Sequence, residues 1–167
     1  MDKEGSKWYL KSDMIKHLNI MLSSFKKYVG EDISTRMTPE EQEQLKKCLT
    51  PESLAEFYYN CSIALVSHDG TPSKGADPIF NYGNKFALEK FGYNIDEWCK
   101  LPSKYSAEQK EQTERDILLK ETEEKGFAKE YNMRRISKTG DIFYAKECIV
   151  WNLINDNEQL VGQAATF

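Results

Sequence analysis

The spacing of apolar residues differs between the first third of the chain and the rest. From residue 8 to residue 29, apolar side chains recur at steps of three and four, which predicts an amphipathic helix ending at Gly30. Thr38-Pro39 and Thr50-Pro51 each place a capping hydroxyl before a proline, so two further helices are predicted to begin there. Residues 1–60 are therefore predicted to form a helical extension.

Short apolar runs separated by turn-forming residues follow this extension. Cys61–Val66 and Ile79–Tyr82 are predicted strands, and the residues after Val66 have the composition of a turn. Asn84 is suited to cap a helix that Gly92 ends. The charged segment from Ser106 to Lys125 is predicted to be a longer helix with a largely solvated surface.

After Gly126 the apolar period becomes two, which is typical of strands. Phe127–Ile136, Ile142–Ile154 and Leu160–Phe167 are separated by turn residues and predict an antiparallel meander. On its middle strand one face is predicted to carry Phe143, Ala145, Ile149, Trp151 and Leu153. With the two earlier strands, residues 61–167 are predicted to form a five-stranded antiparallel sheet with helices on one face, an α+β fold.

Composition and charge narrow the class of protein. The 167 residues are 30% charged and 12% aromatic, which is typical of one soluble globular domain. The net charge of −4 disfavours nucleic acid as a partner, and no apolar run approaches the roughly 20 residues that span a bilayer. The first residues, Met1–Gly5, lack the cationic start of a secretory signal, so a cytoplasmic location is predicted.

Candidate catalytic and metal-binding residues are scarce. The four cysteines have no CxxC spacing and there are two histidines, so we predict no metal site and no disulfide framework. His68-Asp69 has no nucleophile near it in sequence and is interpreted as a loop pair. We therefore predict that the protein is not an enzyme.

Several segments resemble a known superfamily. The order of elements, together with Asn84–Tyr93 and Ile136–Phe143, resembles a PAS domain. Within that superfamily the chain more closely resembles the MEKHLA domain. The segments that carry this second resemblance are Asp77–Asn84, Leu101–Glu108, Val150–Leu153 and Gly162–Phe167.

The resemblance implies a PAS-like sensory or interaction module without a catalytic reaction, whose output comes from a separate protein. MEKHLA domains also occur in plant homeodomain–leucine zipper factors, but this chain contains neither of those segments, so DNA binding is not expected. Flavin is disfavoured because the cysteine-bearing helix motif of flavin-binding PAS domains is missing. Haem is disfavoured because the segment from Ser106 to Lys125 contains no histidine.

A pocket between the sheet and the short helices is the place where a PAS-like fold would hold a small organic ligand. Arg135 could bind a carboxylate or phosphate there, or instead pair with a carboxylate on the sheet. Asn81 and Asn84 could instead serve as helix caps, and Trp151 as a core residue. The candidate ligand-binding residues are Asn81, Tyr82, Asn84, Trp98, Arg135, Trp151 and Gln163.

Two functions remain open from the sequence. One is a stand-alone sensory domain that binds an unidentified small molecule; the other is a pure protein-interaction module whose interior is filled by side chains. The size and polarity of the space around Tyr82, Trp98 and Trp151 distinguish them. The apolar stripe of the N-terminal helix either packs on the outer face of the sheet or pairs with a second copy in a homodimer.

Overall fold

The computed structural model describes residues 6–75 and 77–167. Met1–Gly5, on which the prediction about a secretory signal rests, and Ala76 lie outside the described residues. The helices are α1 (Ser12–Val29), α2 (Pro39–Leu45), α3 (Pro51–Asn60), α4 (Lys85–Phe91), α5 (Ile95–Trp98) and α6 (Gln112–Lys125). The strands are β1 (Leu65–Asp69), β2 (Phe80–Gly83), β3 (Phe127–Ile136), β4 (Ile142–Ile154) and β5 (Leu160–Thr166).

The five strands form a single antiparallel sheet in the order β2-β1-β5-β4-β3. The last strand lies at the centre, where Ala165 pairs with Val66 of β1 on one side and with Val150 of β4 on the other. The predicted α+β class and five-stranded antiparallel sheet are confirmed.

Helices cover both faces of this sheet. Helices α4, α5 and α6 pack on the face that carries Val66 and Val150, which we call the inner face. Helices α1 and α3 pack on the opposite, outer face. The apolar stripe of α1 is therefore buried against the outer face of the sheet, which is the first of the two alternatives that the sequence left open.

The contact between α1 and β4 has a dense aromatic centre. Met21, Phe25 and Trp151 are completely buried. The rings of Phe25 and Trp151 meet edge to face with centroids 4.9 Å apart, and Trp151 Nε1 donates to the Met21 carbonyl over 3.0 Å. Since buried aromatic pairs of this geometry add to the energy of area burial, this contact holds α1 against the sheet.

The alternation of side chains along β4 shifts by one residue at Glu147, so odd-numbered residues lie on the inner face before it and even-numbered residues after it. This residue has φ +51°, in the left-handed region, and it interrupts the regular alternation of side chains. Ala145 and Cys148 consequently both pack on the inner face although they are three residues apart, and Trp151 packs on the outer face with its odd-numbered neighbours. The prediction that one face carries Phe143, Ala145, Ile149, Trp151 and Leu153 is therefore wrong.

Strand β1 begins later than its apolar run predicts. The predicted strand covered Cys61–Val66, whereas β1 runs from Leu65 to Asp69. The side chain of Asn84 donates to the Ile63 carbonyl over 2.8 Å and accepts from the Leu65 amide over 3.0 Å. These bonds hold the backbone at the start of β1, and the strand then pairs with β5 through His68 and Asp69, which were predicted as a turn.

Helix α6 also begins later than predicted. Ser106, the predicted start, ends a short 3₁₀ helix (Ser103–Ser106) and donates its hydroxyl to the Ser103 carbonyl over 2.7 Å. A second 3₁₀ turn, Gln109–Glu111, leads directly into α6 at Gln112. The later start places Arg115 in the first turn of α6.

Replacing Phe25 by alanine tests the packing of α1 on the sheet. Because the ring is fully buried against Trp151, we expect Phe25→Ala to lower the free energy of unfolding by about 3–5 kcal/mol. Urea unfolding followed by circular dichroism measures this difference. Leu49→Ala is the control, since Leu49 is 87% exposed and its replacement is expected to change stability by less than about 0.5 kcal/mol. Equal stability of the two variants would contradict the packing.

Candidate ligand-binding cavity

A cavity of about 50 Å³ lies between the inner face of the sheet and α6; we call it the inner cavity. Part of its wall is apolar, formed among others by Phe91, Leu119, Met133, Ala145, Val150 and Phe167. The remainder carries polar groups, namely His68, Ser103, Ser106, Arg115, Arg135 and Gln163. A mostly apolar wall with a few convergent polar groups is typical of small-molecule sites.

Gln163 on β5 is completely buried in the wall of this cavity. Its Nε2 donates to the Leu119 carbonyl over 2.9 Å and to Asn152 Oδ1 over 3.2 Å, which fixes the orientation of the amide. Its Oε1 has no hydrogen-bond partner among residues 6–75 and 77–167. The cavity therefore contains an oriented acceptor that is left without a donor.

His68 on β1 supplies a second acceptor of this kind. Its Nδ1 lies 2.9 Å from the Asp69 carbonyl oxygen, and because a carbonyl can only accept, Nδ1 is the protonated nitrogen. The buried Nε2 is then an acceptor, and within the described part of the chain it has no partner. Burial lowers the pKa of His68 to about 4, so the ring is neutral at physiological pH.

Two arginines face the same space. Arg115 on α6 is buried; its Nη1 contacts Asp116 Oδ1 at 3.1 Å and its Nη2 donates to Ser103 Oγ. Arg135 on β3 donates to the Arg134 carbonyl over 3.2 Å and contacts Met133 Sδ at 3.4 Å. Burial lowers the pKa of Arg115, and it lowers that of Arg135 to about 10. Both remain charged at neutral pH.

A buried thiol also lines the inner cavity. Cys148 lies on β4 and lines the inner cavity. Burial raises the pKa of Cys148 to about 11, so the group is a neutral thiol at physiological pH. It adds apolar surface and no charge.

Asn84 holds the backbone together beside the cavity rather than lining it. The fully buried amide accepts from Ala87 N over 3.2 Å, as the cap of α4, and also from Leu65 N. Its Nδ2 donates to the carbonyls of Tyr58 and Ile63 over 3.1 and 2.8 Å. The capping alternative for this residue is therefore the one that the structure shows.

Asn81 belongs to a hydrogen-bond chain that joins α1 to the sheet. Ser67 Oγ donates to Asn81 Oδ1, and His17 Nε2 lies 2.7 Å from Ser67 Oγ. Because the serine proton is used on Asn81, His17 Nε2 is the donor to Ser67. Burial lowers the pKa of His17, so this ring too is neutral. Ser67 is completely buried, and its hydroxyl is occupied on both sides, so the chain is an internal link.

The three large aromatic candidates pack tightly and do not line the inner cavity. Tyr82 lies on the outer face, 5.6 Å from the ring of Trp8, and Trp151 contacts α1. Trp98 stacks on Phe80 at 3.8 Å and donates its Nε1 to the Tyr82 carbonyl over 2.9 Å. The space around these rings is filled by side chains, as the interaction-module alternative predicts for that place, so the candidate ligand site is the inner cavity instead.

Of the seven sequence-predicted candidates, the structure places Arg135 and Gln163 in one cavity. It adds His68 and Arg115, which sequence reasoning missed. Extending the alternation of the apolar run past Val66 would have put His68 on the same face as Val66. No comparable signal marks Arg115, because it lies among other charged residues of α6.

Among residues 6–75 and 77–167, no group of three or more His, Cys, Asp or Glu side chains is arranged to hold a metal ion. Among the helices formed by the same residues, none is both long and apolar enough to cross a membrane.

Solved PAS and light-oxygen-voltage domains have the same fold. The PAS domain of a protein from Colwellia psychrerythraea aligns with a TM-score of 0.57 and 18% identity, over 67% of this chain and 89% of that chain. A light-oxygen-voltage domain studied with a flavin analogue aligns with a TM-score of 0.55 and 15% identity, over 68% of this chain and 82% of that chain. An RNA-binding light-oxygen-voltage receptor gives 0.55 and 14%, over 71% of this chain and 32% of that chain.

The family assignment comes from the sequence as a whole. No curated protein matches the chain. A family model described as the MEKHLA domain matches residues 15–167, and the matched region includes the sheet, the helices on its inner face and most of α1. The protein belongs to the MEKHLA domain family and has a PAS-like fold.

Proposed function

We propose that this protein is a cytoplasmic sensory domain that binds a small organic molecule in the inner cavity and signals through contacts with an output protein. The observation that carries the proposal is the pair of buried acceptors, His68 Nε2 and Gln163 Oε1, that line the cavity without donors. Buried polar atoms are nearly always hydrogen-bonded, so two such atoms on one cavity favour an occupant with donor groups.

The size of the cavity limits that occupant. Because a water-sized group needs about 10–15 Å³ of such space, a cavity of about 50 Å³ suits a molecule of about three to five non-hydrogen atoms. Drug-sized ligands and large cofactors occupy about 300–1,000 Å³. The residues present therefore do not fit a flavin or a haem, and we propose that neither is bound.

Helix α6 is the element through which we propose that occupancy is signalled. Its inner side supplies Arg115 and Leu119 to the cavity. Its outer side carries Ile117, which is 62% exposed and lines a cleft beside β3 together with Tyr144. A ligand that moves the Arg115 side chain would change this exposed surface, where an output protein could bind. No catalytic step is part of the proposal.

The cysteines support a reducing compartment. Cys48, Cys61, Cys99 and Cys148 are free thiols, and none is paired within the described residues. Since disulfides accumulate in secreted proteins and thiols persist in the cytosol, this pattern favours the proposed cytoplasmic location.

Filling the cavity tests whether ligands bind there. We expect the ¹⁵N-labelled full chain to show saturable amide shifts at the cavity residues on titration with at least one compound of a millimolar set. The set contains neutral, cationic and anionic compounds of about three to five non-hydrogen atoms. Ala145→Leu places a larger side chain in the cavity wall and is expected to abolish these shifts.

Ala128→Leu is the matched control. Ala128 is buried on the inner face beside α6 but does not line the cavity. The variant therefore adds the same side-chain volume to the core as Ala145→Leu without filling the cavity. It is expected to retain the shifts. Absence of saturable shifts with every class of compound in the wild-type chain would contradict ligand binding and support the alternative of a pure interaction module.

The neutral state of His68 predicts a loss of stability in acid. The folded pKa is about 4 and the unfolded one about 6.5, so between these values the unfolded state binds the additional proton. The stabilisation is fully present above about pH 6.5 and is lost as the pH falls towards 4, by about 3 kcal/mol in total.

Urea unfolding of the wild type and of His68→Gln near pH 7 and pH 4 measures this contribution. Glutamine keeps a polar group but does not titrate. Between pH 7 and pH 4 the free energy of unfolding of His68→Gln should therefore fall by about 3 kcal/mol less than that of the wild type. Other acids titrate equally in both proteins and cancel in the comparison. Parallel pH profiles would show that His68 is not buried as a neutral ring.

A further inference from the structure

The charges at the inner cavity are of one sign. Arg115 and Arg135 line it, and none of the described residues in its wall is Asp or Glu. Arg115 has an ionic contact with Asp116, whose side chain is 69% exposed and lies outside the cavity. Within the described part of the chain no carboxylate lies within 4.0 Å of Arg135, although Arg134 beside it pairs with Glu108 at 2.9 Å.

Arg135 is half-buried, and a partly desolvated arginine without a carboxylate is stabilised when another anion compensates its charge. Among residues 6–75 and 77–167, the donors of Arg135 are used only on the Arg134 carbonyl and on Met133 Sδ, and sulfur is a weak acceptor. Arg115 and Arg135 approach the cavity from different elements, α6 and β3. A planar carboxylate between two guanidinium groups would receive charge-assisted hydrogen bonds from both.

The two acceptors add a second requirement. A simple carboxylate has no proton to give to His68 Nε2 or Gln163 Oε1 at neutral pH, whereas a hydroxyl next to the carboxylate has one. We propose that the inner cavity binds a small 2-hydroxycarboxylate, with its carboxylate at Arg115 and Arg135 and its hydroxyl donating to His68 or Gln163. This inference rests on the proposed function and names the class of ligand. Glycolate, with five non-hydrogen atoms, is of the size that the cavity accepts.

The same two arginines also border an open cleft. Arg115, Met133 and Arg135 line both the inner cavity and an open cleft of about 570 Å³ between α6 and β3. The cleft also carries the carboxylates of Glu111, Glu114, Glu121 and Glu130, and none of these forms an ion pair with either arginine in the described residues. An anion that enters from the cleft therefore meets, at Arg135, a positive charge that no carboxylate of the described residues pairs with.

Titration of the ¹⁵N-labelled full chain with sodium glycolate tests the proposal. Glycolamide has the same shape without the charge, and it is titrated at matched sodium chloride concentration. We expect glycolate to shift the amides of His68 and Gln163 saturably and to bind at least about tenfold more tightly than glycolamide. Acetate, which lacks the hydroxyl, should bind more weakly than glycolate.

Substitutions of Arg135 and Arg134 test which positive charge binds the carboxylate of glycolate. Arg135→Gln is expected to weaken glycolate binding by at least about tenfold, and Arg134→Gln, next to it but outside the cavity wall, by less than about threefold. If Arg135→Gln does not fold, Arg135→Lys keeps the charge without the bidentate geometry and should still bind glycolate more weakly than Arg134→Gln does.

Three results would overturn the inference. Equal binding of glycolamide and glycolate would show that the cavity takes neutral ligands, and the proposed sensory function would stand. Equal weakening by Arg134→Gln and Arg135→Gln would show general attraction of anions to the surface. Absence of binding by any compound, including the broader set above, would overturn the ligand class and the proposed function together.

Discussion

The buried amide of Asn84 is the interaction on which the geometry of the cavity depends. One side chain joins the end of α3, the backbone before β1 and the first turn of α4 through four hydrogen bonds to backbone groups. Its bonds to Ile63 and Leu65 hold the backbone where β1 begins, and the alternation of side chains from Val66 onward places His68 on the inner face. A residue outside the cavity wall thus anchors the strand that carries one of the two free acceptors.

The second constraint is the left-handed backbone at Glu147. A regular β4 would direct alternate residues to alternate faces along its whole length, and Ala145 and Cys148 would then lie on opposite sides. The change at Glu147 brings both to the inner cavity while Trp151 packs against α1. One irregular residue therefore lets a single strand build both the cavity wall and the docking site of the N-terminal helix.

Much of the fold follows from local signals in the sequence. The period of the apolar residues, the Thr-Pro pairs and the glycines after α1 and α4 predict the elements and their order, because each depends on neighbours a few residues away. The site depends on tertiary contacts. The burial of Arg115 and the position of β1 both result from contacts between distant segments, and the sign of φ at Glu147 has no marker such as glycine. The sequence analysis placed the pocket among large aromatic residues, but in the structure these residues fill the core.

Val150 and Trp151 are consecutive residues on opposite faces of β4. Val150 lines the inner cavity, and the indole of Trp151 donates to the carbonyl of Met21 in α1. Because successive Cα atoms are held about 3.8 Å apart, a displacement of the β4 backbone that makes room beside Val150 also moves the indole. The cavity is thus linked to the N-terminal helix through the β4 backbone between Val150 and Trp151 and the hydrogen bond from Trp151 to Met21.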